Sequence, residues 1–287
     1  MKSRSPAGIA LRAIVAIAAA TAALCSVAQE RRTYQFSPVN QYGINVTAAY
    51  WNPILSYVSA KSGVDLKLKI GRTSADTTAY VLANEVEFVF SNHLFSPERE
   101  KLGWRVLARR DAPPVHGQIV VPAESPITEL AQLANQDVGF PGPEATIAYK
   151  FTYAQLLSRN IPVNVVFGGN MDGAFAQLFS GKVKAVGANS QLVEGYTARE
   201  GRKFRVLWSS EPLHDLALMA SSKVAESDRK AVAAAFVGMS DDPKGREVLA
   251  NASKTAGLKS AVGFVASDGR EYEPYRRFYQ TAPPQLR

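Results

Sequence analysis

The sequence predicts an α/β protein, and three observations carry that reading. Segments with strand patterning alternate with segments of helical spacing along nearly the whole chain after residue 28. A strand, a loop of small or polar residues and a helix start recur at 70–74, 90–93, 140–146 and 167–172. No internal repeat and no low-complexity tract interrupts this order after residue 28.

The elements follow in turn. Thr33–Pro38 reads as a first strand. Residues 48–61 carry Trp51, Leu55 and Val58 at helical spacing, and Gly63 stops them. Residues 64–70 alternate Leu66, Leu68 and Ile70 against Asp65, Lys67 and Lys69, the pattern of a half-buried strand. Residues 74–83 read as a helix, and 86–90 as a short buried strand ending at Ser91-Asn92-His93. Residues 104–109 and 117–121 are strand-like, with Pro113-Pro114 as a rigid break between them. The turn-rich residues 122–126 lead into a short helix over 127–134. Asp137–Phe140 is the next strand, and a helix runs from about residue 145 to 157. Residues 163–167 form a strand and 172–179 a helix with Phe175, Leu178 and Phe179 inward. Gly181 ends it, residues 185–188 form a short strand, and Phe204–Ser209 forms another. Ser227-Asp228 is expected to cap a helix through Val237, and Asp242-Pro243 to start one carrying Val248 and Leu249. The tail 272–279 is aromatic and basic.

The first 28 residues read as an export signal. Lys2, Arg4 and Arg12 precede an apolar run, and Ser26-Val27-Ala28 offers a small-x-small cleavage site. Cleavage near Ala28 would release residues 29–287 as the exported form. The single cysteine, Cys25, lies inside the signal, so the exported form has no disulfide and no thiolate chemistry. Its length suits two compact lobes or one large domain. The net charge of +8 is dispersed, apart from pairs such as Arg31-Arg32, Arg109-Arg110 and Arg276-Arg277. No basic stripe with interleaved aromatics is present, which argues against nucleic acid as a partner.

The searched chemical motifs are missing. Gly181-Lys182 is followed by Val183 where a phosphate-binding loop needs Ser or Thr. No nucleophile elbow or zinc-protease motif occurs. His93, His116 and His214 lie far apart in sequence. The expectation is a binder with no cofactor and no metal. In open α/β sheets, loops after strands gather where ligands bind, and helix starts there suit anions.

Five stretches together are similar to a known family: Trp51-Asn52-Pro53-Ile54-Leu55-Ser56-Tyr57-Val58; the run from Val81 to Asn92; Val138-Gly139-Phe140-Pro141-Gly142-Pro143-Glu144-Ala145-Thr146; Phe167-Gly168-Gly169-Asn170-Met171-Asp172-Gly173-Ala174 with residues 178–183; and Asp242-Pro243-Lys244-Gly245. By these the chain resembles the periplasmic solute-binding proteins of the phosphate, phosphite and phosphonate ABC-transporter group, of type II periplasmic-binding-protein fold. The resemblance implies two lobes, each a mixed sheet flanked by helices, with a ligand cleft between them. Lobe one would hold residues 29–121 plus 213–287, and lobe two 122–212. The crossovers would fall near 120–124 and 208–212.

The resemblance also implies ligand contacts. Asn92 and His93 would sit in the loop after a lobe-one strand. Thr146 falls where the family has a hydroxyl-rich oxyanion loop. Asn170, Asn189 and Ser190 belong to lobe-two loops, and Tyr42 with Arg72-Thr73 to the first lobe-one loops. Trp51, Tyr42 and Tyr50 offer an apolar wall. The chain departs from the family at Pro143-Glu144-Ala145-Thr146, where two hydroxyls are missing and Glu144 adds a carboxylate. A carboxylate facing an oxyanion repels it unless it points away or shares a proton. Lys184 also stands where relatives often carry an acid.

The implied function is the substrate-binding component of an ABC importer. It would close on a small solute, with a phosphonate- or phosphate-like oxyanion favoured, and would work as a monomer beside an ABC permease. The alternative is a sensing subunit of the same fold that signals to a membrane kinase or receptor. An enzyme on this fold is the third reading, and no visible nucleophile–base pair supports it.

Overall fold

Two open β-sheets organise residues 31–287, which are the residues described by the computed structural model. The expected signal over residues 1–28, and its cleavage point, lie outside the described residues. In chain order the strands are β1 (Thr33–Pro38), β2 (Asp65–Leu68), β3 (Phe88–Ser91), β4 (Arg105–Arg110), β5 (Gly117–Pro122), β6 (Asp137–Phe140), β7 (Asn164–Phe167), β8 (Ala185–Asn189), β9 (Phe204–Ser209), β10 (Ala217–Ala220) and β11 (Phe264–Ala266). The first sheet runs β11-β4-β10-β3-β1-β2 and the second β7-β6-β8-β5-β9.

Both sheets are mixed. β1 pairs in parallel with β2 and β3, while β10 runs antiparallel to β3 and β4. β6 pairs in parallel with β7 and β8, and β5 runs antiparallel to β8 and β9. Phe88–Ser91 and Ala185–Asn189 are buried along their whole length. Such central strands read as continuous apolar runs. Gly187 in β8 leaves space that a side chain would fill: an added Cβ would lie 2.3 Å from the Ala148 carbonyl oxygen and 2.5 Å from Thr152 Oγ1. The helix starting at Thr146 therefore packs directly on the strand backbone.

The first helix, Ile44–Ser62, starts four residues earlier than its apolar spacing shows and buries Tyr50, Trp51, Ile54, Leu55 and Val58. Trp51 lies 4.8 Å from the Phe36 ring and 5.1 Å from the Phe90 ring, within the core beneath the first sheet. Asp242 caps Pro243–Thr255 as expected, accepting from the N–H groups of Lys244 and Gly245. Ser227 and Asp228 do not cap the preceding helix. They lie inside Glu226–Val237, whose N-cap is Ala225.

Ser190–Glu200 and Ala217–Ala220, like the short Pro97–Glu100 and Phe264–Ala266, were not visible in the sequence. Ser190–Glu200 is a helix capped by Asn189, with only Leu192, Val193 and Gly195 buried. Its apolar stripe is too narrow to stand out. Ala217–Ala220 has no alternation because it is buried on both faces between β3 and β4.

The chain passes between the sheets twice. β5 belongs to the second sheet, so the first passage lies within residues 111–116, earlier than the expected 120–124. The cause is pairing: Gly117–Val120 hydrogen-bonds with β8, so these residues leave with the second sheet. The return lies within 210–216. Val115 and Leu213 join the two passages by reciprocal backbone hydrogen bonds of 2.7 and 2.8 Å.

Candidate functional site

The loops leaving β1, β3, β6 and β8 converge on one cavity of about 40 Å³. A water needs roughly 10–15 Å³ on the same measure, so the space takes an oxyanion-sized group and little more. The first sheet contributes Asn40 and Gln41 after β1, Ser74, and Asn92 with His93 after β3. The second contributes Pro141 after β6, residues 145–148, Met171 and Asn189 at the end of β8. Asp215 and Leu216 complete the wall from the return passage. This is the carboxyl edge of the parallel strands, where open α/β sheets bind ligands.

The wall offers donors without a cationic side chain. Thr146, Ile147 and Ala148 form the first turn of a helical run over Thr146–Phe151 and Thr152–Ser158. The N–H groups of Tyr149 and Lys150 both donate to the Ala145 carbonyl, at 2.9 and 3.1 Å. The three preceding N–H groups are first-turn donors without acceptors inside the helix. The Ser74 hydroxyl is buried and has no hydrogen-bond partner. It presses on Gly142, where an added Cβ would lie 2.5 Å from Ser74 Oγ. Only a glycine allows this approach. Thr146 Oγ1 donates to the Asn92 carbonyl at 3.3 Å.

Two titratable groups face the cavity. Burial pushes the His93 imidazole down to about 3, with Arg99 and Lys150 adding to the effect against Glu144. The ring is neutral at physiological pH and pairs through Nδ1 with Thr78 Oγ1 at 3.1 Å. Burial raises the Asp215 carboxyl, against the lowering influence of Arg110 and of hydrogen bonds from Gln41, Leu216 and Asn189. Asn189 Nδ2 donates to Asp215 Oδ1 at 3.0 Å.

Of the residues singled out in the sequence, Asn92, His93, Thr146 and Asn189 come together around this cavity. The others do not line it. Arg72 is exposed, and Asp76 takes its N–H together with the Thr73 N–H and hydroxyl. Asn170 caps Met171–Phe179 by accepting from the Gly173 N–H at 2.9 Å. Ser190 Oγ accepts from the His116 N–H at 3.0 Å and lies on an outer cleft. Tyr42 is buried beneath the Arg199 guanidinium, and burial raises its phenol to about 12. Trp51 and Tyr50 belong to the core and form no cavity wall. Glu144 is turned away: both of its oxygens accept from Arg99, at 2.5 and 3.0 Å. Arg99 and the charge of Lys150 hold its carboxyl below the usual range even though burial pushes the other way.

Sequence reasoning missed Asn40, Gln41, Ser74 and Asp215. Ser74 adjoins the Arg72-Thr73 loop that it had found; Asp76, the first residue of the helix that follows, engages Arg72 and Thr73 locally. Asp215 carries no local signal, because it reaches the cavity from the return passage.

A family model described as "ABC transporter, phosphonate, periplasmic substrate-binding protein" matches residues 36–272. The chain belongs to this family. The binding protein is thus a periplasmic component of an ABC transporter, with a small-molecule ligand and a permease partner. Its fold is similar to that of a binding-protein component of an ABC phosphonate transporter from Pseudomonas aeruginosa, at 16% identity and TM-score 0.74, covering 88% of this chain and 87% of that one. It is also similar to PhnD1 from Prochlorococcus marinus in complex with methylphosphonate, at 14% identity and TM-score 0.72, covering 87% and 97%. XAC2383 from Xanthomonas citri, bound to chloride ion, is similar at 15% identity and TM-score 0.66, covering 86% and 97%. No curated protein matches the sequence.

Proposed function

We propose that the binding protein captures a small phosphonate-like oxyanion in the cavity between its two sheets, closes on it, and delivers it to the permease without chemical turnover. The observation that carries this is the donor set on the wall. Residues 146–148, whose first-turn N–H groups have no acceptor inside the helix, and Ser74, with its unpartnered hydroxyl, line a space of oxyanion size. Helix starts supply such anion sites from backbone groups and a partial positive charge, so the absence of a lining cation is no obstacle. Pairing with Arg99 keeps the Glu144 carboxylate off the ligand, and the carboxyl left on the wall, Asp215, accepts from Asn189 and Gln41 and is shifted by burial toward its neutral form.

In this reading the first sheet with its helices is one lobe, the second sheet is the other, and the paired passages at 111–116 and 210–216 are the hinge. Contacts between the two groups support a closed form. Ser74 N–H donates to the Gly169 carbonyl at 2.7 Å, and Gly43 N–H to Asp172 Oδ2 at 3.0 Å. The Thr146–Asn92, Asn189–Asp215 and Arg99–Glu144 pairs also cross. Hinge closure about a ligand is an established mode for two-lobed proteins.

The test is a thermal-shift and calorimetric panel of methylphosphonate, phosphite, phosphate, sulfate and an amino acid. A ligand at a hundred times its dissociation constant stabilises the folded form by about 2.7 kcal/mol. A response to phosphorus oxyanions that Ser74→Ala and Thr146→Val weaken is the expected result. Silence toward every phosphorus oxyanion, with a response elsewhere, would sink the reading.

A further inference from the structure

One buried cation stands beside the phosphonate site with a donor still free. Arg110 ends β4 and is 5% exposed. Its guanidinium lies 4.8 Å from the Phe90 ring centre and 5.2 Å from that of Tyr50. A guanidinium has five N–H donors. Among the described residues, Nη1 donates to Gln191 Oε1 at a long 3.4 Å, and Asp215 Oδ2 stands 3.8 Å away. Nε has no partner. The Tyr50 hydroxyl stands within weak hydrogen-bonding reach of Arg110, off ideal geometry, and the buried Tyr42 hydroxyl has no partner. Leaving a charged donor buried and unbonded costs more than leaving a neutral one, so this cluster of donors is incomplete as it stands.

The place of Arg110 shows what would complete it. It lines a side chamber of about 10 Å³ with Gln191, His214, Asp215 and Leu216. Asp215 and Leu216 also wall the main cavity, so the two spaces adjoin. The chamber takes one oxygen atom. Asn189 and Gln41 hold the Asp215 carboxylate at 3.0 and 3.4 Å, away from tight pairing with Arg110.

We infer that the ligand is a phosphonate whose organic substituent ends in a carboxylate, and that Arg110 receives one carboxylate oxygen through the side chamber. The inference rests on the phosphonate reading above and adds the chemistry of the substituent. Charge-assisted bonds to a buried guanidinium are strong and directional, so a neutral or cationic substituent is disfavoured.

Calorimetry on the protein with phosphonoacetate, ethylphosphonate and 2-aminoethylphosphonate tests it. Phosphonoacetate is expected to bind at least roughly tenfold tighter than ethylphosphonate. Arg110→Gln should bring that ratio close to one, and Arg110→Lys should restore part of it. If Arg110→Gln does not fold, the wild-type order of the three ligands decides. Equal affinity for phosphonoacetate and ethylphosphonate, a preference for 2-aminoethylphosphonate, or a ratio unchanged in a folded Arg110→Gln overturns the inference and leaves the phosphonate reading standing. Binding of none of the three sinks that reading and the inference with it.

Discussion

Glu144→Ala separates closure from folding. Arg99 comes from the helix Pro97–Glu100 that follows β3, and Glu144 from the loop after β6, so their bidentate pair joins the two sheet groups. Their side chains are 19% and 22% exposed, between a surface pair and a buried one. Exposed pairs contribute about 0–1 kcal/mol, and breaking a fully buried pair costs about 3–5 kcal/mol, so about 2 kcal/mol is the fitting value here. That is roughly thirtyfold in the equilibrium between closed and open forms. Arg99 keeps its 2.8 Å bond to the His93 carbonyl in the variant, so the local loop stays anchored. Small-angle scattering of the unliganded protein should show a larger radius of gyration. Methylphosphonate release in stopped flow should be faster by about that thirtyfold. The pair also sets an acid limit. The Glu144 carboxyl is held below its ordinary 4.5 in the folded state. Its contribution is complete above that value and is lost as pH falls through the lowered one. Wild-type release should accelerate in that acid range, and the variant should not. An unchanged release rate with a lowered melting temperature would refute the reasoning, because the pair would then serve local folding alone.

Other outcomes follow from the same geometry. Gly142→Ala places a Cβ 2.5 Å from Ser74 Oγ across the cavity, so calorimetry should show weaker ligand binding while the unliganded melting temperature holds. A lowered melting temperature with intact affinity would count against it. Gly187→Ala drives a Cβ into the Ala148 carbonyl and should destabilise by about 1–3 kcal/mol, read by denaturant unfolding. His93 is protonated near 6.5 when unfolded and only near about 3 when folded. Its burial therefore costs nothing above 6.5, and stability falls as pH drops from there toward 3. His93→Gln should flatten that part of the stability–pH curve, and an unchanged slope would show another group at work.

The sequence carried the parallel edges well. Strands with a clean pattern or firm turn signals, such as Thr33–Pro38, Asp137–Phe140 and Phe204–Ser209, agree with the structure. The family resemblance pointed to the ends of Phe88–Ser91, Asp137–Phe140 and Ala185–Asn189, and Asn92, His93, Thr146 and Asn189 there line the cavity, at the edge where loops after parallel strands gather. What escaped was set by distant partners. Ala217–Ala220 is a strand because β3 and β4 flank it. Glu144 looked like a cavity carboxylate because nothing nearby in sequence announces Arg99. Tyr42 and Arg72 lie in the right loops, but neighbouring groups fix which side chain of a loop turns inward. Asp76 decides this for the second loop.

The shared carbonyl at Ala145 has a further consequence. One of its two bonds spans five residues, so the run Thr146–Phe151 holds one residue more than an α-helix would. Beyond it, Thr152 is in ordinary helical phase, with Oγ1 donating to the Ala148 carbonyl. Deleting one residue there would restore regular winding and turn the start of the helix by about 100° relative to its body. The direction faced by the binding edge is thus decoupled from the register of the helix that supports it. In this protein, a change of chain length by one is the coarse adjustment of the pocket, and side-chain replacement is the fine one.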